Sequence, residues 1–411
     1  MLVYVLNKYG KPLMPCSPQK ARKLLKNKKA KVVKKVPFTI QLLYGSTGYK
    51  QDISLGVDAG SKHIGISATT NEDVLFEANV ELRNDIVENL STRREARRSR
   101  RNRKTRYRKP RFKNRIKSKK KGWLAPSIRQ KIETHLEVVK MIHKILPISI
   151  IIAETASFDI QKIKNPAISG VEYQQGDQLN FWNVREYVLF RDNHMCQHCK
   201  GKSKDNILNV HHIESRKTGG NAPSNLITLC ETCHKNYHSG KIKLDIKRGM
   251  SFKDAAFMGI MRWTFYEKLK EIYENVTMTF GYITKNCRIT NNLHKDHYID
   301  ARCISGNPRA KSCGTVYYFK KIRRHNRKIF KDKILKGNTK KRNKCSYEVF
   351  GFRRYDLVKF ENKLYYINSL RVRGCFQIKD LFDKTFEKQI SLKKLQFVQM
   401  RSGFISTFCT I

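Results

Sequence analysis

The sequence predicts an α/β protein of more than one domain, and three observations carry that prediction. Short β-type apolar runs alternate with helical patterns along most of the chain, as α/β architecture requires. Two of those runs end in an acid, Gly56-Val57-Asp58-Ala59-Gly60 and Ile150-Ile151-Ile152-Ala153-Glu154. Between the second and a later His297-Tyr298-Ile299-Asp300-Ala301 lies a segment rich in cysteine and histidine, which reads as an insertion. At 411 residues the chain is long enough for two or three separate cores.

Taken in order, residues 1–50 read as a small α/β unit. Strand Val3–Leu6 leads through Pro12-Leu13-Met14-Pro15 into a helix over 19–28, with Ser17 as N-cap and Pro18 at the first helical position, where proline is tolerated. Val36–Leu43 reads as a strand. Residues 51–90 hold three strands, Ile53–Asp58, His63–Ala68 and Asp73–Val80. Residues 91–125 are dominated by lysine and arginine: few helix breakers precede Pro110, which predicts an arginine helix over Thr92–Lys109, with an extended basic arm after it. Residues 126–180 begin with a helix over 126–146, whose Ile132, Leu136, Val139, Ile142 and Leu146 recur near the helical period. A strand over 148–153 then ends at Glu154 and gives way to loop and linker. The insert occupies 181–245. Residues 246–310 return to a helix (252–274), a strand (276–283) and a helix (290–305) carrying His297 and Asp300. Residues 311–345 are basic and poor in apolar side chains, and short alternating runs over 346–411 predict a small β-barrel.

Charge narrows the class of partner. Lysine and arginine number 85 against 34 acidic residues, a formal net charge of +51. Self-repulsion of that size opposes the compact state unless a polyanion neutralises it, so a nucleic-acid partner is expected. No apolar stretch reaches the roughly 18 residues of a membrane-spanning helix, and the run from Met1 to Leu6 is too short for a secretory signal; no membrane partner is expected. Eleven cysteines, four of them at metal-ligand spacing and the others scattered, fit a reducing compartment and a metal site better than a disulfide framework.

The insert carries Cys196-x-x-Cys199 and Cys230-x-x-Cys233, two knuckles that predict a structural Zn2+ held by four thiolates. Between and after them stand His211-His212, Asn225, His234 and His238. A ββα arrangement of these residues can place a second metal between His211 and His234 or His238. His212 is then left to take a proton from water, and Asn225 to orient the loop that holds it. The plainer alternative is that the histidines only cap the zinc site. This stretch resembles the HNH endonuclease family in its four-cysteine form, which implies Mg2+ or Mn2+ at His211, His234 and His238. Many nucleases of that group carry an aspartate before the catalytic histidine. His211 stands there in this chain, and a neutral imidazole is still a competent ligand, so the metal preference rather than the activity is opened.

Asp58, Glu154 and Asp300 could converge from two strand ends and a helix, as two-metal phosphoryl transfer requires. His297 and Asp300 are three residues apart and share a helix face. Together these motifs resemble the RuvC-type ribonuclease H fold split into three segments, and the resemblance implies Mg2+ or Mn2+ at Asp58, Glu154 and Asp300, with His297 beside them.

The run Arg93-Arg94-Glu95-Ala96-Arg97-Arg98-Ser99-Arg100-Arg101, continued by Arg103 and Arg106, places arginines all round a helix. No core can absorb that, and arginine favoured over lysine fits bidentate phosphate contact; a solvated tail is the alternative reading. The order of parts, from Pro-Leu-Met-Pro through split RuvC-like segments, arginine bridge helix, inserted HNH unit and basic segment with Arg323, Arg324 and Arg327 to a small β domain, resembles the IscB family of transposon-encoded RNA-guided nucleases. That resemblance implies a structured guide RNA (omega RNA), a double-stranded DNA target, a prokaryotic cytoplasmic setting and a single protein chain within the ribonucleoprotein. It also implies that the HNH unit cuts the guide-paired strand, that the RuvC-like site cuts the displaced one, and that the C-terminal β domain contacts RNA and a target-adjacent motif. A protein-only endonuclease of homing or resolvase type is the alternative; it explains both sites but not the charge.

Overall fold

The computed structural model describes residues 1–46, 48–102, 123–155, 178, 181, 183–215, 220–247, 249, 253–323, 333–334, 340–341, 347–380 and 387–410. It divides into two compact units, one formed by Met1–Ala156 with Met258–Ile411 and the other by Ser157–Phe257.

The first unit opens with a four-stranded sheet of β1 (Val3–Leu6), β2 (Pro12–Cys16), β3 (Ala30–Lys34) and β4 (Thr39–Leu42) in the order β2-β1-β4-β3, with α1 (Pro18–Lys26) packed on it. Ser17 caps α1 by accepting from the Lys20 amide at 3.3 Å. The Pro-Leu-Met-Pro run, expected only to lead into the helix, is itself β2. Its prolines are tolerated because β2 is an edge strand with no second neighbour to require their missing N–H.

The second sheet is built from β5 (Ser54–Ala59), β6 (His63–Thr69) and β7 (Val74–Glu81), after which come α2 (Ile86–Asn102), α3 (Pro126–His143) and β8 (Ile150–Thr155). The second unit, described below by itself, supplies α4 (Val184–Arg191), β9 (Leu208–His212), β10 (Leu226–Cys230) and α5 (Glu231–His238). The chain then returns with α6 (Lys253–Ile272), β11 (Val276–Phe280), α7 (Gly281–Thr290), α8 (His297–Ile304) and β12 (Thr315–Lys321). A single helix was expected over 290–305; two stand at 281–304, separated by the turn that ends at the α8 cap, Asp296. Two short hairpins follow, β13 (Lys333–Ile334) with β14 (Lys340–Lys341) and β15 (Glu348–Val349) with β16 (Phe352–Arg353). The chain ends with β17 (Leu357–Phe360), β18 (Lys363–Leu370), β19 (Cys375–Lys379), β20 (Glu387–Ser391), β21 (Gln396–Gln399) and β22 (Phe404–Thr410).

The large sheet runs β11-β8-β5-β6-β7-β12-β22. β5, β6 and β7 form an antiparallel meander, while β8 is parallel to β5 and β11 parallel to β8. β12, expected within a basic segment, is a strand of this sheet because Val316, Tyr317 and Phe319 are buried in it. β22 pairs with β12 rather than completing the C-terminal domain, whose five strands form an open sheet, β20-β19-β18-β17-β21, where a barrel was expected.

Strand alternation gives the large sheet two unlike faces. Leu55, Val57, Ile64, Ile66, Phe76, Ala78, Val80, Tyr317 and Phe319 are buried on one. The other carries Gly56, Asp58, Gly65, Ser67, Glu77 and Asn79, and α8 lies on it. A Cβ on Gly56 would meet the Ala301 carbonyl oxygen at 1.9 Å, and one on Gly65 the His297 carbonyl oxygen at 1.8 Å. Only glycine lets the α8 backbone rest this close. Polar ties hold it: Asn79 Nδ2 donates to Asp296 Oδ1 (2.8 Å), buried Arg302 donates to Glu77 Oε1 (2.7 Å), and Thr69 Oγ1 donates to Ser305 Oγ (2.8 Å).

Two predictions come from this packing. Gly65→Ala should lower unfolding stability by about 3 kcal/mol, the scale of overpacking at a site that cannot yield, as read by denaturant titration. Burial pushes the His135 imidazole down to about 4. Between its ordinary pKa and that value the unfolded chain binds the extra proton, so stability falls as pH drops from about 6.5 to 4, by on the order of 3 kcal/mol at most. Stability measured at pH 7 and pH 5 should show a shallower loss in His135→Gln than in the parent chain.

Candidate active site and metal centres

In the second unit, β9 and β10 pair antiparallel with His211 opposite Ile227, and α5 follows directly from β10. Cys230 ends β10 and caps α5, its Sγ accepting from the Cys233 amide at 3.5 Å. The four sulfurs of Cys196, Cys199, Cys230 and Cys233 lie within 4.8 Å of one another, with Cys199 and Cys230 3.8 Å apart. A tetrahedral zinc with Zn–S bonds of about 2.3 Å has S···S edges of about 3.8 Å, so this donor set is compatible with zinc.

Ligand atoms of His211, His234 and His238 form a second such cluster, also within 4.8 Å of one another. Nε2 of His234 and Nε2 of His238 are 3.3 Å apart, and buried His211 Nε2 has no hydrogen-bond partner. Two nitrogens each about 2.1 Å from one ion stand that far apart at close to the tetrahedral angle. Burial, then the neighbouring histidines, pull His211 down to about 4, and burial lowers His234, so both offer neutral nitrogens at pH 7. Both His234 and His238 lie close enough to His211 to share one ion with it, so the geometry does not force a choice between them. An all-imidazole set suits zinc, manganese or other transition ions better than Mg2+, which takes oxygen ligands; the Mg2+ expected here does not match these donors.

His212 stands outside that cluster and holds Asn221 Oδ1 at 3.0 Å through Nε2. Asn221 is a residue that sequence reasoning missed, since nothing in a loop asparagine marks it out. Asn225 sits in a single 3₁₀ turn before β10 and is fully buried. Its Oδ1 accepts from the Glu214 amide (2.9 Å), and its Nδ2 donates to the carbonyls of Glu214 (3.0 Å) and Gly220 (2.9 Å). One side chain thus fastens both ends of the loop that follows His212.

In the first unit, Asp58 at the end of β5, Glu154 on β8, and His297 and Asp300 on α8 gather at one end of the polar face. His297 Nδ1 is 2.7 Å from Asp58 Oδ2, and that hydrogen bond outweighs burial to raise the His297 pKa. Two arginines complete the centre. Arg262 of α6 reaches Glu154 Oε1 at 2.9 Å and Asp58 Oδ1 at 4.0 Å, and donates its Nε–H to the Ala59 carbonyl at 2.8 Å. Arg288 of α7 lies 3.0 Å from Asp300 Oδ1. Burial raises Glu154 and Asp300, and the neighbouring Asp58 raises both further. Carboxylates suit hard divalent ions, although the ligand atoms of these three do not all lie within 4.8 Å of one another, as those of the cysteine and histidine sets do. Sequence reading missed both arginines, although Arg262, a lone cation within Met258–Phe265, was a detectable signal.

Of the nucleic-acid candidates, Arg93, Arg94 and Arg98 are exposed on α2, Arg97 is half-buried there, and the helix backbone continues through Arg100 and Arg101 to Asn102. Arg323 is half-buried after β12. Arg103, Arg106, Arg324 and Arg327 lie outside the described residues.

Comparison with known proteins agrees with this geometry. Residues 196–240 match the family model described as HNH endonuclease. The insert is an HNH endonuclease domain. Residues 3–176 match the model described as RRXRR protein, and Arg97-Arg98-Ser99-Arg100-Arg101 falls within that match. A stretch of 41 residues is 46% identical to Anaredoxin of Nostoc sp. (strain PCC 7120 / SAG 25.82 / UTEX 2576), covering 10% of this chain and 54% of that one. The chain thus spans about half the length of that curated relative.

The donor sets predict two separable metals in the HNH domain. Elemental analysis should find one zinc per chain that Cys199→Ser loses, and calorimetry a second site, lost in His234→Ala, that binds Mn2+ or Zn2+ more tightly than Mg2+. Tighter Mg2+ binding contradicts the imidazole assignment.

Proposed function

We propose that the chain is an RNA-guided DNA endonuclease of the IscB type, with two cutting centres of different chemistry. The observation that carries this reading is that an HNH endonuclease domain, a compact unit of its own, interrupts the chain between the Glu154 strand and the α8 helix bearing His297 and Asp300. The strand order, an antiparallel meander extended by two parallel strands beside Asp58, supports a ribonuclease H-like reading of the surrounding unit. The RRXRR match, the arginine helix and the charge of +51 support an RNA partner.

In the HNH domain His212 accepts a proton from the attacking water through its imidazole, steadied by Asn221, while Asn225 fixes the loop behind it. His211, His234 and His238 would hold the ion. In the other centre Asp58, Glu154 and Asp300 would hold the ions, Arg262 and Arg288 balance the acids between turnovers, and His297, kept in register by Asp58, exchanges a proton with the attacking or leaving oxygen. A divalent ion at either centre supplies Lewis-acid stabilisation of the phosphodiester as it becomes five-coordinate. In this reading the HNH centre cuts the guide-paired strand and the Asp58 centre the displaced strand, within a ribonucleoprotein containing one copy of the chain.

Strand-resolved cleavage of a doubly labelled duplex tests the division of labour. Asp58→Ala should abolish cutting of the displaced strand and leave a nick in the paired strand. His212→Ala should slow the paired-strand cut by about 10²–10⁴-fold, the usual contribution of a general base, and leave the opposite nick. Loss of both cuts from Asp58→Ala would overturn the assignment, and both cuts intact in His212→Ala would make the insert a structural zinc module.

A further inference from the structure

Beside the Asp58 centre a cavity of about 350 Å³ opens on the same face of the large sheet. Strand register lays out its floor. His63, Glu81 and Lys320 stand in one row across β6, β7 and β12, and Gly65, Asn79 and Tyr318 form the next row. Asp58 on β5 is the partner of Gly65, so these positions all face the way Asp58 does. α8 begins at the edge of this floor. Its N-cap Asp296 accepts from Asn79 Nδ2 at 2.8 Å, and the next residue, His297, lines the cavity.

His297 belongs to both places. Its Nδ1 meets Asp58 at 2.7 Å, yet 44% of its side chain stays exposed. Its ring lies 5.2 Å from that of exposed His63, with the two planes at 32°. β6 neighbours β5, so the His63 wall stands about one strand spacing, roughly 5 Å, from the strand that carries Asp58. A nucleoside attached to a phosphate at Asp58 can therefore reach it.

The lining selects the kind of group that enters. Lys320 Nζ donates to both oxygens of Glu81, at 2.8 and 2.9 Å, so the floor carries one acid and one base that cancel. In a chain of net charge +51, a cavity meant for phosphate would be lined by unopposed cations; here a carboxylate repels it. One carboxylate already held by an ammonium is also a poor metal site. Imidazole rings on one side, half-buried Tyr318 on the other and a donor–acceptor pair between them suit a flat, neutral group with a hydrogen-bonding edge. His63 and Lys320 are two strand spacings apart, roughly 10 Å, which leaves room for such a group to stand edge-down between them. A nucleobase has this shape and chemistry. The edge that Glu81 and Lys320 would hold is the one a pairing base would occupy, so the base that enters is unpaired.

We infer that this cavity seats the unpaired base of the nucleotide adjoining the phosphate cut at the Asp58 centre, with its face on His63 and its edge on Glu81 and Lys320. This rests on the reading of Asp58, Glu154 and Asp300 as a cutting centre and deepens it, by giving that centre a requirement for a base at one side of the scissile phosphate. His63 is then a substrate-binding residue rather than a brace for His297.

The test is cutting of an end-labelled single-stranded DNA with one central abasic site by the full chain in Mn2+, resolved nucleotide by nucleotide. Only cuts that Asp58→Ala abolishes are scored. Cutting at one of the two phosphates flanking the abasic site should fall about tenfold, the scale of one lost base–aromatic stack, while cuts farther along the strand keep their rates. In His63→Ala every cut should slow by about that factor and the dip at the abasic site should vanish, because the stack is gone everywhere. His63→Phe, which keeps a ring face, should bring the dip back. A uniform pattern across the abasic site in the parent chain, a measurement that needs no variant to fold, overturns the assignment. So does a dip that persists in His63→Ala, since His63 would then only brace His297. Failure of the cutting-centre reading shows differently, as cutting that Asp58→Ala leaves intact or as no cutting by the parent chain, and it removes the cavity's role as well.

Discussion

The backbone of α8 rests directly on the backbone of β5 and β6, and the candidate cutting centre of the first unit depends on that contact. At Gly56 and Gly65 there is no room for a single methyl group. Without that approach, His297 and Asp300 would stand one side-chain layer away from Asp58, and the 2.7 Å contact between His297 and Asp58 could not form. The polar ties from Glu77, Asn79 and Thr69 then fix where α8 stops along the sheet. Burying Asp58, Glu77, Asn79 and Thr69 on this face is tolerable because each finds a partner on α8 or at its ends. The opposite face, where Leu55, Val57, Ile64, Ile66, Phe76, Ala78 and Val80 are buried, supplies the apolar burial that the polar face cannot.

The HNH domain and the polar end of the large sheet offer different donors. Three imidazoles gather in the HNH domain, and three carboxylates, two of them paired with arginines, stand beside α8. Each is organised by its own local device: a buried asparagine tying a loop in one, a close-packed helix in the other. Such independence is what a protein needs if either strand can be cut when the other centre is disabled. A zinc held by the four cysteines, which their geometry allows, would brace this small insert from within. Cys230 ends a strand, caps a helix and offers a ligand, so metal binding and folding are coupled there.

Much of this was legible in the sequence, and the failures have physical causes. The strands bearing Asp58 and Glu154 and the cysteine knuckles were readable because strand-end acids and Cys-x-x-Cys spacing are local signals. The cap at Ser17 was readable for the same reason. β2 was hidden because prolines argue against a strand until its edge position is known. β12 and β22 were assigned to a basic segment and a C-terminal barrel because which sheet a strand joins is a long-range matter that alternation does not encode. α7 was missed, its first residues Gly281–Ile283 being read as the end of the strand before it, because the apolar Tyr282 and Ile283 continue the run of β11. Arg262, Arg288 and Asn221 escaped notice because their partners lie on other elements.

The central claim is that RNA directs this nuclease, and the most direct measurement is of the RNA itself. The chain would be expressed with its native flanking DNA, purified through high salt, and the nucleic acid that stays bound would be sequenced. The account predicts one abundant RNA with a constant structured part and a terminal segment matching DNA beside the gene, and that RNA should direct cleavage of a matching duplex. Heterogeneous cellular RNA, or none surviving the wash, would contradict it and leave the positive charge as non-specific affinity on a protein-only endonuclease.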